Sequence, residues 1–287
     1  MKLTFLGTSA GEEYPGIWCD CYNCLKARKL GGKNIRRNSS VIIDDDVMID
    51  IGKTAHIQAE RFGKNIRSIN TLLVTHSHND HFNIHTLWAR GKTPGVENMT
   101  SEEQKSTMSP RFTKLPDLDL FGNDQVEKIV INENILDNAG INFNLVEPYK
   151  KYNALNLEII TLGGNHQDRD GRSINYLLKR DGITFLYLLD TGWPLEETLN
   201  EIVKYKYDFI IVEGTFGLGI DSPYHMNLDK NIKLLEFFNR NNLWKYNPDY
   251  YLTHLSPHWC SPHDDYLPLV EEVGLKLAYD GLEIEYV

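Results

Sequence analysis

The segment LLVTHSHNDHF, residues 72–82, contains three histidines and an aspartate within a stretch of six residues. Side chains at positions i and i+2 project to the same side of an extended segment, so His76 and His78 can bind one ion together. After a turn, Asp80 and His81 can direct a second pair of ligands to a neighbouring position. Neutral imidazole and carboxylate suit zinc, manganese or iron. Four such groups at this spacing favour a metal site over a solvated loop.

Other residues that commonly bind metals end apolar runs that are far apart in the chain. They are His166 after LEIITLGGN, Asp190 after ITFLYLL, His254 after DYYLT, and Asp50 and Glu213 at the ends of two further runs. Open α/β folds bring the ends of strands to one edge, so we expect a single shared polar site. Six ligands can be assembled from the cluster at 76–81 together with His166 and His254. With Asp190 as a bridging seventh, they are enough for two ions about 3.5–4 Å apart. The ions would share a hydroxide that forms near neutral pH.

The elements that must position these residues follow from the pattern of the chain. Short apolar runs bounded by Gly, Asp, Asn or Pro predict strands, and helical periodicity appears between them. The predicted strands lie in KLTFLG, SSVIID with DVMIDIG, INTLLVTH, LEIITLGG, ITFLYLLD, YDFIIVEG, DYYLTH and LKLAYDGLEIEYV. One helix is predicted over NLDKNIKLLEFFNRN, with Asn227 as its N-cap. This alternation predicts α/β layers, and 287 residues fit one large domain or two small ones. Residues 91–119 are polar and weakly patterned, which predicts a surface excursion.

Charge and apolar runs limit the class of protein. The formal net charge of −10 does not favour binding to nucleic acid. No apolar run approaches the roughly 20 residues that span a bilayer. The first residues, MKLTFLGTSAG, are typical of a first strand rather than a signal peptide. We therefore expect a soluble, cytoplasmic protein without a membrane partner.

Three of the four cysteines form the motif C-x-C-x2-C at Cys19, Cys21 and Cys24. Three thiolates so close together can bind a structural zinc ion, with a fourth ligand from elsewhere. The segment THLSPHWCSPH offers His258, Cys260 and His263 for that place. We predict a zinc-binding loop over residues 17–27, with a disulfide or unligated buried thiols as the alternatives.

The motifs together resemble those of the metallo-β-lactamase superfamily. THSHNDH matches its HxHxDH signature, and the segments around Asp50, His166, Asp190 and His254 are similar to its other motifs, in the usual order. The resemblance covers almost the whole chain and implies a single domain over residues 1–287 with a four-layer αββα sandwich. It also implies the ligands of the two catalytic ions: His76, His78 and His166 for one, Asp80, His81 and His254 for the other, with Asp190 bridging. Asp50 would orient the ligand histidines.

Within the superfamily, the cysteines resemble those of the phosphoribosyl 1,2-cyclic phosphate phosphodiesterases of the carbon–phosphorus lyase pathway. In that family three such cysteines and a histidine shortly after the last active-site histidine hold a structural zinc. Here His254 and His258 are separated by three residues instead of two, and Cys260 competes, although we favour His258. The cysteine motif also resembles the pyrroloquinoline-quinone biosynthesis accessory protein, but the intact HxHxDH motif favours a competent dimetal centre. The resemblance further implies that His225 contacts the phosphate and acts as general acid, and we count Asp80 with it as catalytic.

These features predict a dinuclear-metal-dependent phosphodiesterase that hydrolyses a small or cyclic phosphodiester through a metal-bridging hydroxide. One alternative is a nuclease of the tRNA 3′-processing type, although the chain shows no long Gly/Pro-rich arm. Another is a thioester or lactam hydrolase, because a metal hydroxide also attacks carbonyl carbon. A non-enzymatic metabolite carrier would be expected to lack ligands, and all seven are present. Dimers are common in this fold, so a homodimer is one expected state. Substrate specificity would come from residues 91–119 and from the predicted loop HQDRDGRSINY, where Arg169 and Arg172 could reach a phosphate or lie in solvent.

Overall fold

Two seven-stranded sheets form the centre of the computed structural model, which describes residues 1–91, 100–106, 115–168 and 171–286. The first sheet has the order β14 (Glu283–Glu285), β1 (Lys2–Gly7), β2 (Ser40–Ile43), β3 (Val47–Ile49), β4 (Thr71–Leu73), β5 (Leu118–Gly122) and β6 (Ile141–Leu145). The second has the order β13 (Lys276–Leu277), β12 (Tyr250–Thr253), β11 (Phe209–Glu213), β10 (Ile183–Leu188), β9 (Gly171–Arg180), β8 (Leu157–Asp168) and β7 (Lys151–Ala154).

Helices cover the outer faces of the sheets. The described α-helices are α1 (Tyr22–Leu30), α2 (Ala55–Arg61), α3 (Ile84–Trp88), α4 (Ser101–Ser106), α5 (Asp124–Asn132), α6 (Leu136–Ala139), α7 (Glu196–Ile202), α8 (Leu228–Arg240) and α9 (His263–Glu272). Short 3-10 helices lie at Gly32–Asn34 and Ile66–Ser68. Within the described part of the chain, no helix has the length and apolar character needed to cross a bilayer.

The layers follow from strands that are apolar on both faces. In β10, Phe185 packs in the core between the two sheets, whereas Leu186 packs in the core beneath α8 and α9. In β1, Phe5 faces the core between the sheets and Leu6 faces α2. Because side chains alternate along a strand, each sheet can be buried on both sides only between another sheet and a layer of helices. This arrangement confirms the predicted αββα sandwich.

Parallel strands point their carboxyl ends toward the same region. In the first sheet β3, β4, β5 and β6 pair in parallel, and in the second sheet β10, β11, β12 and β13 do so. The loops that follow β3, β4, β10, β11 and β12 carry most of the residues of the candidate site. The predicted helix after Asn227 is α8, and the Asn227 side chain accepts a hydrogen bond from the Lys230 backbone amide, as an N-cap does.

Several local predictions need correction. The segment HQDRDGRSINY was interpreted as a loop, but residues 165–168 continue β8 and β9 begins at Gly171. The cysteine segment 17–27 is not all loop, because α1 begins at Tyr22. The excursion 91–119 contains α4 and the start of β5, and its residues 92–99 and 107–114 lie outside the described residues.

Candidate metal centre

The segment after β4 is held in place by a carboxylate from the opposite sheet. Asp168, at the end of β8, accepts hydrogen bonds from the Ser77 backbone amide at 2.9 Å and the Ser77 hydroxyl at 2.5 Å. It also accepts one from the Asn123 side-chain amide at 2.7 Å. Burial opposes the ionised form, but these donors lower the pKa of Asp168. The 76–81 loop is therefore fixed before any ligand binds.

One group of ligand atoms contains His76, His78, His166 and Asp190, all within 4.8 Å of one another. His76 Nε2 lies 2.9 Å from His78 Nδ1 and 3.1 Å from Asp190 Oδ2. His166 Nε2 lies 3.5 Å from His78 Nδ1. Burial lowers the pKa of His166 to about 4, so this imidazole is neutral and can offer a lone pair.

A second group contains Asp80, His81, His254 and again Asp190. His81 Nε2 lies 3.1 Å from His254 Nε2 and 3.3 Å from Asp80 Oδ2. Asp190 Oδ2 lies 3.2 Å from His81 Nε2, and Asp190 Oδ1 lies 3.2 Å from His254 Nε2. Asp190 thus belongs to both groups, and all seven predicted ligands converge on one place.

Hydrogen bonds on the far side of the imidazoles indicate which nitrogen faces the centre. His81 Nδ1 donates to Asp50 Oδ2 at 2.7 Å, and Asp50 also accepts from the Thr75 backbone amide at 2.8 Å. His254 Nδ1 donates to the Thr215 hydroxyl at 2.8 Å, which in turn donates to Glu213. When both imidazoles are neutral, these tautomers place two unprotonated Nε2 atoms 3.1 Å apart, and such lone pairs repel unless a cation, either a proton or a metal ion, lies between them. The donor set therefore fits divalent metal ions.

The charges of the site support the same conclusion. Burial disfavours a charged His81, but Asp80, Asp190 and Asp50 outweigh it and raise the pKa of His81 well above its usual value. Burial also disfavours ionised Asp190, but His254 and His81 hold its pKa well below the usual range. This cluster of carboxylates attracts a positive charge into a buried site.

The backbone is strained at three of the strand ends. Asp50, Asp190 and His254 have φ angles of 59°, 45° and 58°, in the left-handed region that non-glycine residues rarely adopt. Each follows a strand directly or by one residue, and each turns its side chain toward the centre or toward a ligand histidine. Strain of this kind is commonly found at functional sites.

His225 lies beside the candidate metal ligands, in the loop before α8. Its Nδ1 atom is 3.0 Å from Glu213 Oε1 and 3.7 Å from Asp190 Oδ1. Burial opposes the imidazolium, but Glu213 and then Asp190 outweigh it and raise the pKa of His225 to about 9. Near neutral pH this side chain therefore carries a proton at the edge of the site.

Comparison with known proteins identifies a family for this arrangement of histidines and carboxylates. Residues 46–244 match the family model described as a beta-lactamase superfamily domain. The chain belongs to the β-lactamase superfamily. Its family and its αββα sandwich make it a metallo-β-lactamase-fold hydrolase, as the motifs predicted.

Several solved structures share this fold at low sequence identity. A diphosphatase of the PhnP family is 22% identical, with a TM-score of 0.72 over 100% of this chain and 98% of that one. Zinc-bound PqqB from Methylobacterium extorquens is 15% identical, with a TM-score of 0.74 over 100% of both chains. The short form of human tRNase Z is 15% identical, with a TM-score of 0.60 over 99% of both. Comparison with curated proteins gives no match.

This metallo-β-lactamase-fold protein has a separate thiol cluster at the start of α1. Cys19, Cys21 and Cys24 place their sulfur atoms within 4.8 Å of one another, and His258 Nδ1 lies 4.0 Å from Cys19 Sγ. Burial opposes a thiolate at Cys21, but a hydrogen bond from the Cys24 backbone and contacts with neighbouring side chains lower its pKa to about 7. Cys260 lies apart, where its thiol donates to the carbonyl oxygens of residues 214 and 215 at 3.4 and 3.5 Å.

Three residues that support the candidate site were not singled out in the sequence. Asp168 was not singled out, although it lies two positions after His166 and therefore on the same side of an extended strand. Thr75 and Thr215, which link ligand histidines to Asp50 and Glu213, were also missed. Arg172, considered as a phosphate contact, is exposed on β9, and Arg169 lies outside the described residues.

Proposed function

We propose that this protein is a metal-dependent phosphodiesterase that hydrolyses a small or cyclic phosphodiester. The observation that carries the proposal is the position of Asp190, whose two carboxylate oxygens approach the histidines of both ligand groups. A carboxylate shared in this way is suited to bridging two cations, as metallohydrolase centres require. The similarity to a diphosphatase of the PhnP family supports phosphorus chemistry.

The two ligand groups would each hold one divalent ion. His76, His78 and His166 would hold the first and Asp80, His81 and His254 the second, with Asp190 between them. Bound there, such ions supply Lewis acidity toward phosphoryl oxygens and lower the pKa of water. Asp50 and the Thr215–Glu213 pair would keep the ligand imidazoles in the required tautomer and orientation.

His225 would supply the proton for the leaving group. Water oxygen bonds to phosphorus, the bond from phosphorus to the leaving oxygen breaks, and His225 protonates that oxygen. The proton that the attacking water loses restores the acid through solvent. An open diester gives a phosphate monoester and an alcohol, and a cyclic diester gives one molecule that carries both groups. Glu213 favours the protonated imidazole before the step.

The thiol cluster would hold a structural zinc ion through Cys19, Cys21, Cys24 and His258. The closeness of His258 and the distant position of Cys260 support histidine as the fourth ligand. Such a site would tie the start of α1 to the loop after β12. All four cysteines are free, which supports a reducing compartment such as the cytoplasm.

The proposal is tested by metal analysis combined with a substrate panel. We expect three metal ions per chain, one of them resistant to mild chelation, and turnover of bis(p-nitrophenyl) phosphate in preference to nitrocefin or a thioester. His78→Ala and Asp190→Ala should abolish this turnover while circular dichroism stays unchanged. His85→Ala is the matched control, because His85 is exposed on α3 and contacts Trp88 rather than the site. Retained phosphodiester turnover in Asp190→Ala would reject the proposal.

A further inference from the structure

An apolar ledge borders the site on the side of His225. We define the apolar ledge as Phe216, Leu218, Tyr224 and Trp259. Leu218 and Tyr224 are 62% and 51% exposed, and Trp259 is 40% exposed. Exposed apolar residues gathered beside a reactive centre commonly mark a binding surface, whereas single ones scattered over a protein do not.

Packing fixes the two aromatic rings of the apolar ledge. The Phe216 ring centroid lies 5.4 Å from that of His225, nearly perpendicular to it, and 5.7 Å from that of Trp259, again edge to face. The Trp259 ring lies so close to Gly219 that a Cβ atom there would come within 2.6 Å of Trp259 Cε3. Glycine is thus required beneath the indole, and the ring is held in position without a ligand.

Backbone hydrogen bonds tie the same loop to the region around α8. The Phe216 amide donates to the Met226 carbonyl at 3.1 Å, and the Leu228 amide donates to the Gly217 carbonyl at 2.7 Å. The apolar ledge and His225 therefore belong to one loop whose two ends are fastened together. Their relative position is set by the fold.

The charge of the apolar ledge is unsuited to a second phosphate. Residues 214–224 and 255–262 contain no lysine or arginine. The nearest lysine along this loop, Lys230, is paired with Asp221 at 2.5 Å. On the other side, Glu12 lies 3.6 Å from His258. A polyanionic leaving group, such as a nucleic-acid strand, would find no lysine or arginine in these two segments to pair with its further phosphates.

From this geometry we infer that the leaving group of the substrate carries an aromatic ring, which packs in the angle between the perpendicular rings of Phe216 and Trp259. The inference rests on the proposed function, because a group whose oxygen is protonated by His225 must extend toward the side chains that surround His225. Phe216 and Trp259 then determine specificity, and take no part in the chemical step. The substrate class is a small phosphodiester with an aryl or nucleobase-bearing leaving group.

The test compares two substrates that give the same phosphate product. Methyl phenyl phosphate and methyl hexafluoroisopropyl phosphate have leaving alcohols of similar acidity, and only the first is aromatic. Hydrolysis of both yields methyl phosphate, which phosphorus NMR quantifies. Trp259→Ala removes the indole, Trp259→Phe keeps an aromatic ring, and Tyr246→Ala is the matched control. Tyr246 is an 82% exposed aromatic residue at the opposite end of the strands, close to Asp208 and Lys276.

We expect Trp259→Ala to lower kcat/KM for the phenyl ester roughly tenfold and to change the alkyl ester by less than about twofold. Trp259→Phe should recover most of the loss, Tyr246→Ala should change neither substrate, and zinc content should stay constant in all three. Equal losses on both substrates, or no loss on the phenyl ester, would overturn the inference while leaving the proposed function intact. If the wild-type enzyme with its metals hydrolyses neither ester, both are overturned.

Discussion

Replacing Asp168 with alanine tests how the 76–81 loop is positioned. Asp168 is fully buried, belongs to the second sheet, and holds a loop that follows a strand of the first. Alanine would leave three buried donors without their acceptor: the Ser77 amide, the Ser77 hydroxyl and the Asn123 side chain. We expect this variant to fold but to bind its catalytic metals weakly.

The magnitude follows from those three hydrogen bonds. A hydrogen bond to a charged group contributes about 1.5–3 kcal/mol, and bonds that share one carboxylate are not independent. We therefore expect Asp168→Ala to lower the free energy of unfolding by roughly 3–4 kcal/mol. Asp168→Asn keeps the volume and one acceptor but turns an amide donor toward another donor, so roughly half of that loss is expected. Metal affinity should fall about 10- to 100-fold, as when other groups that orient ligands are removed.

Two measurements check this prediction. Urea unfolding of the metal-free protein gives the loss of stability, and titration of the metal-free protein with zinc gives the affinity. Asp181→Asn is the matched control, because it removes a carboxylate that is largely exposed in the turn between β9 and β10. Zinc affinity of Asp168→Ala within twofold of the wild type would refute the proposed role of this carboxylate in positioning the loop.

Two further predictions concern His225 and the thiol cluster. Because Glu213 raises the pKa of His225 to about 9, the protonated acid is present below that pH and is lost above it. The kcat/KM of the wild type should therefore fall as pH rises through about 9, and His225→Gln should lose this limb together with roughly 10²- to 10⁴-fold in rate. If kcat/KM of the variant still fell as pH rose through about 9, that fall would belong to a group other than His225. Cys19→Ser should reduce the metal content from three ions to two and lower Tm, whereas Cys260→Ala should keep all three. Loss of one ion in Cys260→Ala but not in Cys19→Ser would make Cys260 the structural-zinc ligand in place of Cys19.

The seven candidate ligands were predictable because their chemistry is rare and clustered. The HxHxDH motif and the repeated appearance of histidine after buried strands indicated a common site before any coordinates. Asp168, Thr75 and Thr215 could not be recognised in the same way. Such residues are frequent in ordinary turns, and their roles depend on contacts between the two sheets.

Four strands were missed: β5, β6, β7 and β9. β5 (LDLFG) was assigned in part to the surface excursion over residues 91–119. β7 (KYNA) lies at the edge of its sheet and has no apolar run. β6 (INFNL) lies at the edge of the other sheet and alternates apolar residues with asparagine, as a strand does, but over only five residues. Segments this short depend on pairing with a neighbouring strand, which the sequence alone does not show. β9 was missed for another reason: its polar start, GRS, continues the hairpin with β8, and the run that follows is buried on both faces and does not alternate.

The left-handed backbone at Asp50, Asp190 and His254 constrains how this protein can change. Glycine would relieve about 1 kcal/mol of strain at such positions, but it would also remove a carboxylate or imidazole that the centre needs. Thermostability and activity are therefore in conflict at these three places. A variant with glycine at these positions would be more thermostable but inactive. Selection for heat resistance alone would therefore favour the loss of site residues at these three positions.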